Sequence, residues 1–224
     1  MKKTIVLCVY NRSGFVEKCM DSLLSQNVID YDVIVIDDGS TDGTTELLNK
    51  YRDEPKVAIY RNPRNLGLMR SRNLGSEKSD ADIIAFTDSD CVANPDWLEK
   101  LTAIFDKDST VAVAGGRIED EDTGDYWSVV YKGFHHIAGE SGYVKRIIGA
   151  NMAVRRDLLA LEPFDETLKY GADETDLCMR VSKRSLRIFY EDKAVVRHFH
   201  RNSLKGMLKQ AFHLGEGNCY FRFK

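Results

Sequence analysis

Two aspartates separated by one serine, Asp88-Ser89-Asp90, follow directly on the apolar run Ile83-Ile84-Ala85-Phe86-Thr87. In an extended segment residues two apart project to the same side, so both carboxylates can face one ligand. Hard carboxylate oxygens suit Mg2+ or Mn2+, which bind through one or two protein carboxylates together with substrate phosphates. The structural alternative is a turn whose aspartates cap the helix beginning near Pro95. A second acidic turn, Asp37-Asp38-Gly39-Ser40-Thr41-Asp42-Gly43, offers acceptors for a base N–H or ribose hydroxyls, although Ser40, Thr41 or Asp42 would cap the next helix in any case. It is not a Walker-type phosphate cradle, because no lysine follows the glycines. A third cluster, Gly171-Ala172-Asp173-Glu174-Thr175-Asp176, puts three acids at a helix start. The helix dipole favours acids there, and one of them can also serve as general base toward an acceptor hydroxyl. His198 and His200 lie two apart at the end of an apolar segment, each either a metal ligand or a core residue with its hydrogen bonds met.

Strands are expected at 4–9, 32–37, 57–60, 83–87 and 111–115 from their β-branched and apolar runs. Between them fall helices at 44–51, 66–76 and 95–105, and an earlier one in which Val16, Met20, Leu23 and Leu24 recur at helical spacing. Such alternation predicts βαβ units, hence an α/β fold with a mostly parallel central sheet and helices on both faces. Ligands in these sheets bind at the carboxyl ends of strands. Tyr10-Asn11, Asp37-Asp38 and Asp88-Ser89-Asp90 all occupy such ends, so three strand ends converge on one crevice. The second half is less regular, with an acidic loop at 119–125 and glycine-led segments at 149–156 and 171–180. Strands at 187–190 and 194–196 lead to His198. Residues 1–202 are expected to form one catalytic domain, with halves at 1–117 and 118–202. A helical segment follows at 203–224, where Leu204, Met207, Leu208, Ala211 and Phe212 recur at helical spacing with Lys205 and Lys209 between them.

The 224 residues, 43% hydrophobic and 30% charged with net charge -3, have ordinary globular composition. The charge is uneven: from Lys193 onward there are seven Lys/Arg (Lys193, Arg197, Arg201, Lys205, Lys209, Arg222, Lys224) against one acid, Glu216. This is either a solvated helix face or a surface for an anionic membrane or a phosphorylated or lipid-linked acceptor. The five cysteines are scattered without a paired or zinc-type spacing, which fits a reducing cytoplasm. Met1-Lys2-Lys3 precedes an apolar run too short for a signal core, and no stretch reaches the roughly 20 apolar residues of a membrane span.

In order along the chain stand Val9-Tyr10-Asn11-Arg12, Asp37 to Thr44, Asn65-Leu66-Gly67, Arg72-Asn73, Asp88-Ser89-Asp90, Gly149 to Arg156, Phe164-Asp165-Glu166, Gly171 to Arg180, and His198 through Gly217. This succession resembles the family-2 glycosyltransferases of the GT-A fold over nearly the whole chain. The resemblance implies an inverting, metal-dependent transfer of sugar from a nucleotide-diphosphate donor, UDP- or dTDP-linked, to a hydroxyl of a glycan or lipid-linked polysaccharide precursor.

It also implies roles. Asp38 would hold the base, flanked by Val9 and Tyr10, with Asn65, Arg12, Arg72 and Ser89 as further donor contacts. Asp88 would meet the ribose or the metal, and Asp90 the metal, Mn2+ or Mg2+, with His198 (or His200) as a further ligand. Asn151 and Met152 would lie on the acceptor side. The family usually shows Glu-Asp-x-Asp where this chain has Asp173-Glu174-Thr175-Asp176, so the base falls on Glu174, with Asp173 and Asp176 as alternates. The partners implied are the sugar nucleotide and a glycan or lipid-linked acceptor, with no nucleic acid. The place implied is the cytoplasm, with peripheral contact at the inner face of a membrane. A non-catalytic sugar-nucleotide-binding protein and a sugar-nucleotidyltransferase share this layout. The second usually carries a Gly-rich signature with a basic residue after the first strand, which Tyr10-Asn11-Arg12-Ser13 lacks, and a dinucleotide-dependent dehydrogenase would need G-x-G-x-x-G there.

Overall fold

In the apolar run Ile5-Val6-Leu7 an extended backbone sends neighbouring side chains to opposite faces of a strand, and both faces are covered. In the computed structural model, which describes residues 1–121, 139–168, 171–199 and 204–222, this strand is β1 (Lys3–Val9). Ile5, Leu7 and Val9 join a core with Val16, Cys19, Met20 and Leu23 of α1 (Val16–Leu24) and Trp97, Leu98, Leu101 and Phe105 of α4 (Trp97–Lys107). Val6 points the other way, into a second core with Met69 of α3 (Leu68–Lys78), Leu158 and Leu159 of α5 (Arg156–Leu161), and Leu177, Cys178 and Val181 of α6 (Asp173–Lys183). The sheet is thus sandwiched between two helical layers.

The strands run in the order β3-β2-β1-β4-β8-β6-β9-β5, with β7 also on β9. β2 (Tyr31–Asp37), β3 (Val57–Arg61) and β4 (Ile83–Asp88) pair in parallel with one another through β1, as expected for the first half. Register puts Val9 opposite Asp37 and Cys8 opposite Asp88, so the acidic turns emerge side by side. Between β1 and β3 the chain forms α2 (Thr44–Leu48) and a 3-10 turn at Asn49–Tyr51.

The second half is mixed. β8 (Asn151–Arg155) inserts antiparallel between β4 and β6 (Val111–Asp120). β9 (Arg187–His198) runs parallel to β6, and short β5 (Cys91–Ala93) and β7 (Gly142–Val144) lie antiparallel against it. The two strands expected at 187–190 and 194–196 are one, because register shifts between Val111/Val113 and Gly116/Arg117 keep β9 paired along β6. Glu119 and Asp120, expected in a loop, close β6; residues 122–125 of that loop lie outside the described residues. The C-terminal segment forms α7 (Leu204–Arg222).

Helix α3 starts two residues later than its periodicity suggests. The N–H groups of Leu66 and Gly67 are drawn to the Asp38 carboxylate, and Gly67 sits at φ 98°, outside helical space. At Gly75 the helix crosses β1 so closely that a Cβ would lie 2.3 Å from Val6 Cγ1.

Candidate active site

The turns after β1 and β2 are laced to each other. Asn11, at φ 52°, donates its N–H to Ser40 Oγ (3.0 Å), and its Oδ1 accepts the Thr41 N–H (2.8 Å). The Arg12 N–H donates to Thr44 Oγ1 (2.8 Å) and the Ser13 N–H to Asp42 Oδ2 (3.1 Å). Gly39, at φ 75°, is obligatory, since a Cβ there would lie 2.5 Å from the Arg64 carbonyl carbon.

The paired aspartates of the second turn organise backbone. Asp37 accepts from the Ser40 N–H (2.9 Å) and the Thr45 hydroxyl (2.6 Å). Asp38, 3% exposed, accepts from Asn62 Nδ2 (2.7 Å) and from the Leu66 and Gly67 N–H groups (2.9 Å each). It therefore fixes the loop that holds Asn65, which is exposed, over the end of β2. Val9 is buried and its carbonyl accepts the Asp38 N–H (2.8 Å), so its contribution to this edge is backbone. Tyr10, by contrast, is 44% exposed.

Asp88 and Asp90 are held by different cations, because the chain turns at Ser89 instead of staying extended. Asp88 Oδ1 lies 3.4 Å from Arg72 Nη2, while Asp90 Oδ2 lies 3.1 Å from Arg12 Nη2 and its Oδ1 3.4 Å from His198 Nε2. Asp88 is half-buried at the end of β4: burial raises its carboxyl, the Arg72 guanidinium opposes that, and Asp90 adds to the rise. Ser89 is buried beneath the turn.

Arg72 corrects an expectation. Expected to touch the donor, it is 3% exposed and spends its guanidinium inward. Nη1 bonds the Asp173 carboxylate, Nη2 bonds the Gly149 carbonyl (3.1 Å) and reaches Asp88, and the group lies 5.8 and 5.6 Å from the rings of Phe86 and Phe164. Burial alone would lower its affinity for the proton, and the Asp173 and Asp88 carboxylates more than reverse that. Arg72 ties the strand-end acids to the start of α6 across 101 positions of sequence, a link that no local pattern announces.

At α6 the three acids separate by partner. Asp173 is paired with Arg72. Asp176 is paired with Arg180 one turn on (2.7 Å), which also reaches Glu162 (3.1 Å). Glu174 has no arginine partner among the described residues and is half-buried. Burial, with the Asp173 carboxylate beside it, pushes its carboxyl up to about 8. Gly171 and Ala172 precede it in the left-handed region (φ 77° and 63°); for alanine this is a strained position of the kind found where a functional segment is held in place.

Asn151 and Met152 also need correction: neither faces a cleft. Both faces of β8 are covered: Ala153 packs into the first core, and Met152 and Val154 into the second. Asn151 is fully buried and joins three elements: its Oδ1 accepts the Trp97 indole N–H (2.8 Å), and its Nδ2 donates to the carbonyls of Arg117 and Ala194 (2.9 Å each).

For a cation, the donors that converge are Asp90, His198 and Cys91, with ligand atoms all within 4.8 Å of one another. A carboxylate and an imidazole suit Mn2+, whereas the Cys91 thiol, its proton held by burial, is a poor ligand for a hard ion. Antiparallel pairing of β5 with β9 sets Cys91 opposite His198. His200 lies outside the described residues.

The sequence profile of glycosyl transferase family 2 matches residues 4–160. The glucosyl-dolichyl phosphate glucuronosyltransferase of Haloferax volcanii is 24% identical over 216 residues, covering 88% of this chain and 69% of that protein. The chondroitin synthase of Pasteurella multocida is 36% identical over 110 residues, 49% of this chain and 11% of the synthase. Among solved structures, GalNAc-T7 with UDP, GalNAc and Mn2+ superposes with a TM-score of 0.75 at 18% identity, covering 90% of this chain and 44% of that one. S. aureus TarS 1-349 in complex with UDP-GlcNAc gives 0.72 at 20% identity, covering 91% and 60%. This chain thus spans less than half of several proteins it matches, and its fold is theirs, the mixed α/β GT-A fold. With polar turns at three adjacent strand ends, two of them acidic, and a family profile over most of its length, the chain belongs to glycosyl transferase family 2.

Proposed function

We propose that the chain transfers a sugar from a UDP- or dTDP-linked donor to an acceptor hydroxyl with inversion at the sugar carbon, and that Glu174 is the general base. The observation that carries this reading is the division of labour at α6. Asp173 and Asp176 are neutralised by arginines, and Glu174 is left with a carboxyl whose proton comes off near the working pH, where a general base is most effective. One displacement, with the hydroxyl attacking opposite the departing diphosphate, forms no covalent intermediate and inverts the centre.

The remaining residues divide between holding the donor and holding the base. Tyr10 and Asn65 present open side chains at the ends of β1 and β3 for the nucleoside, and Asp38 fixes the loop between them and offers its remaining lone pairs to the base. Arg12 lies beside Asp90, where a guanidinium can move from carboxylate to diphosphate. Asp90 and His198 fit Mn2+ or Mg2+, with Asp88 adjacent; such an ion supplies positive charge to the leaving diphosphate. Arg72 pairs with Asp173 and orients it, which leaves Glu174 to accept the proton at this edge. GalNAc-T7 holds UDP and TarS holds UDP-GlcNAc in their own structures, which supports a uridine donor here. The dolichyl-phosphate relative supports an acceptor carried on a lipid, and hence presented at a membrane.

The test is thermal stability against UDP, dTDP, GDP and their sugar conjugates, each with Mn2+, Mg2+ or chelator. Ligands that bind the native state raise the melting temperature by mass action. A metal-dependent rise with UDP or dTDP that Asp90→Ala abolishes is expected. A rise unchanged in Asp90→Ala, or one only with GDP, would sink the donor assignment.

A further inference from the structure

Helix α7 has two apolar aspects. Gly206, Met207 and Phe221 are half-buried, whereas Leu204, Leu208 and Phe212 are 53%, 57% and 71% exposed. Spaced four residues apart, these three form one stripe along the helix, and Ala211, Gly215 and Cys219, also exposed, adjoin it. Lys205 is exposed at its border, and Lys209 follows one turn later in the sequence. The stripe sits within the stretch from Lys193 onward that holds seven Lys/Arg (Lys193, Arg197, Arg201, Lys205, Lys209, Arg222, Lys224) against Glu216. No helix among the described residues is long and apolar enough to cross a membrane.

Apolar side chains flanked by cations are the chemistry of a helix lying in the headgroup layer of an anionic bilayer. We propose that α7 lays the Leu204–Leu208–Phe212 stripe into an anionic lipid surface and so holds the site at the bilayer. The proposal rests on the reading that the acceptor is presented at a membrane, and names the surface that meets it.

The experiment is co-sedimentation of the full chain with vesicles of phosphatidylcholine alone or with about one third phosphatidylglycerol. Binding to the anionic vesicles only is expected, weakened at high salt and reduced roughly tenfold or more in L208D/F212D and severalfold in K205E. Equal binding by L208D/F212D and the parent, or no binding by the parent to either vesicle, overturns it. So does a parent that is dimeric in sedimentation, ignores vesicles, and becomes monomeric in L208D/F212D. The UDP-induced thermal shift certifies folding of each variant; if L208D/F212D lacks it, L208S/F212S takes its place. Vesicle binding with no nucleotide shift in the parent would leave this proposal standing and sink the donor reading.

Discussion

At the residue scale, the proton affinity of Glu174 links activity to stability. With its carboxyl near 8, kcat/KM should climb with pH and level off above that value, and Glu174→Gln should cut turnover by about 100-fold or more while the nucleotide-induced thermal shift persists. Near-parental turnover in Glu174→Gln would remove it as the base. The sign for stability follows from linkage. Glu174 is raised above its ordinary 4.5, so the folded form holds a proton that the unfolded chain releases. Its stabilising contribution is complete below 4.5 and is lost as pH rises through about 8. Glu174→Gln should therefore melt with the parent near pH ~4.5 and above it near pH ~9. Equal melting at both would refute the burial of this carboxyl. Arg72→Met removes the cation that lowers Glu174 and leaves Asp173 unpaired. It should cost about 3–5 kcal/mol and move the pH profile further up, whereas a purely structural arginine would leave the profile in place.

At the element scale, the crossing of α3 over β1 sets where Arg72 stands, one turn before Gly75. Alanine is ordinarily the better helix residue by about 1 kcal/mol. Here its Cβ would lie 2.3 Å from a stiff, buried valine, so Gly75→Ala should destabilise by about 1–3 kcal/mol despite that gain and lower kcat by displacing Arg72. A rise in melting temperature would show that the helix can lift without cost. This scale also marks what the sequence reveals. The strand-end acids were legible because a β-branched run, its turn and its acids are contiguous, and parallel pairing then sets two such ends on either side of β1. The pairing of Arg72 with Asp173 was not, because it joins positions 101 apart through a helix that looks merely polar. Asn151 and Met152 were misread for a related reason. They follow Gly149 in a motif-like segment, and only the helical layers packed on both faces of the sheet bury that segment on both sides.

At the scale of the whole molecule, the parallel donor half and the mixed second half are joined through β8, and Asn151 is the polar knot at the join. It is the acceptor for Trp97 of α4 and the donor to carbonyls of β6 and β9. Asn151→Ala leaves one buried N–H and two buried carbonyls short of partners. At about 1–3 kcal/mol each for the worst-placed groups, the loss should be roughly 3 kcal/mol or more. In a chain of this size that corresponds to a fall of about 6 °C or more in melting temperature. Asn151→Asp separates the two halves of the role: a carboxylate still accepts from Trp97 but faces two carbonyls with negative charge, so burial and repulsion raise its proton affinity. Its stability should be largest at low pH, where the protonated form can donate to one carbonyl, and should fall as the pH rises through that raised value. A melting curve for Asn151→Asp that tracks the parent across pH would mean that the two halves are joined by strand pairing and apolar packing, with nothing added by this side chain.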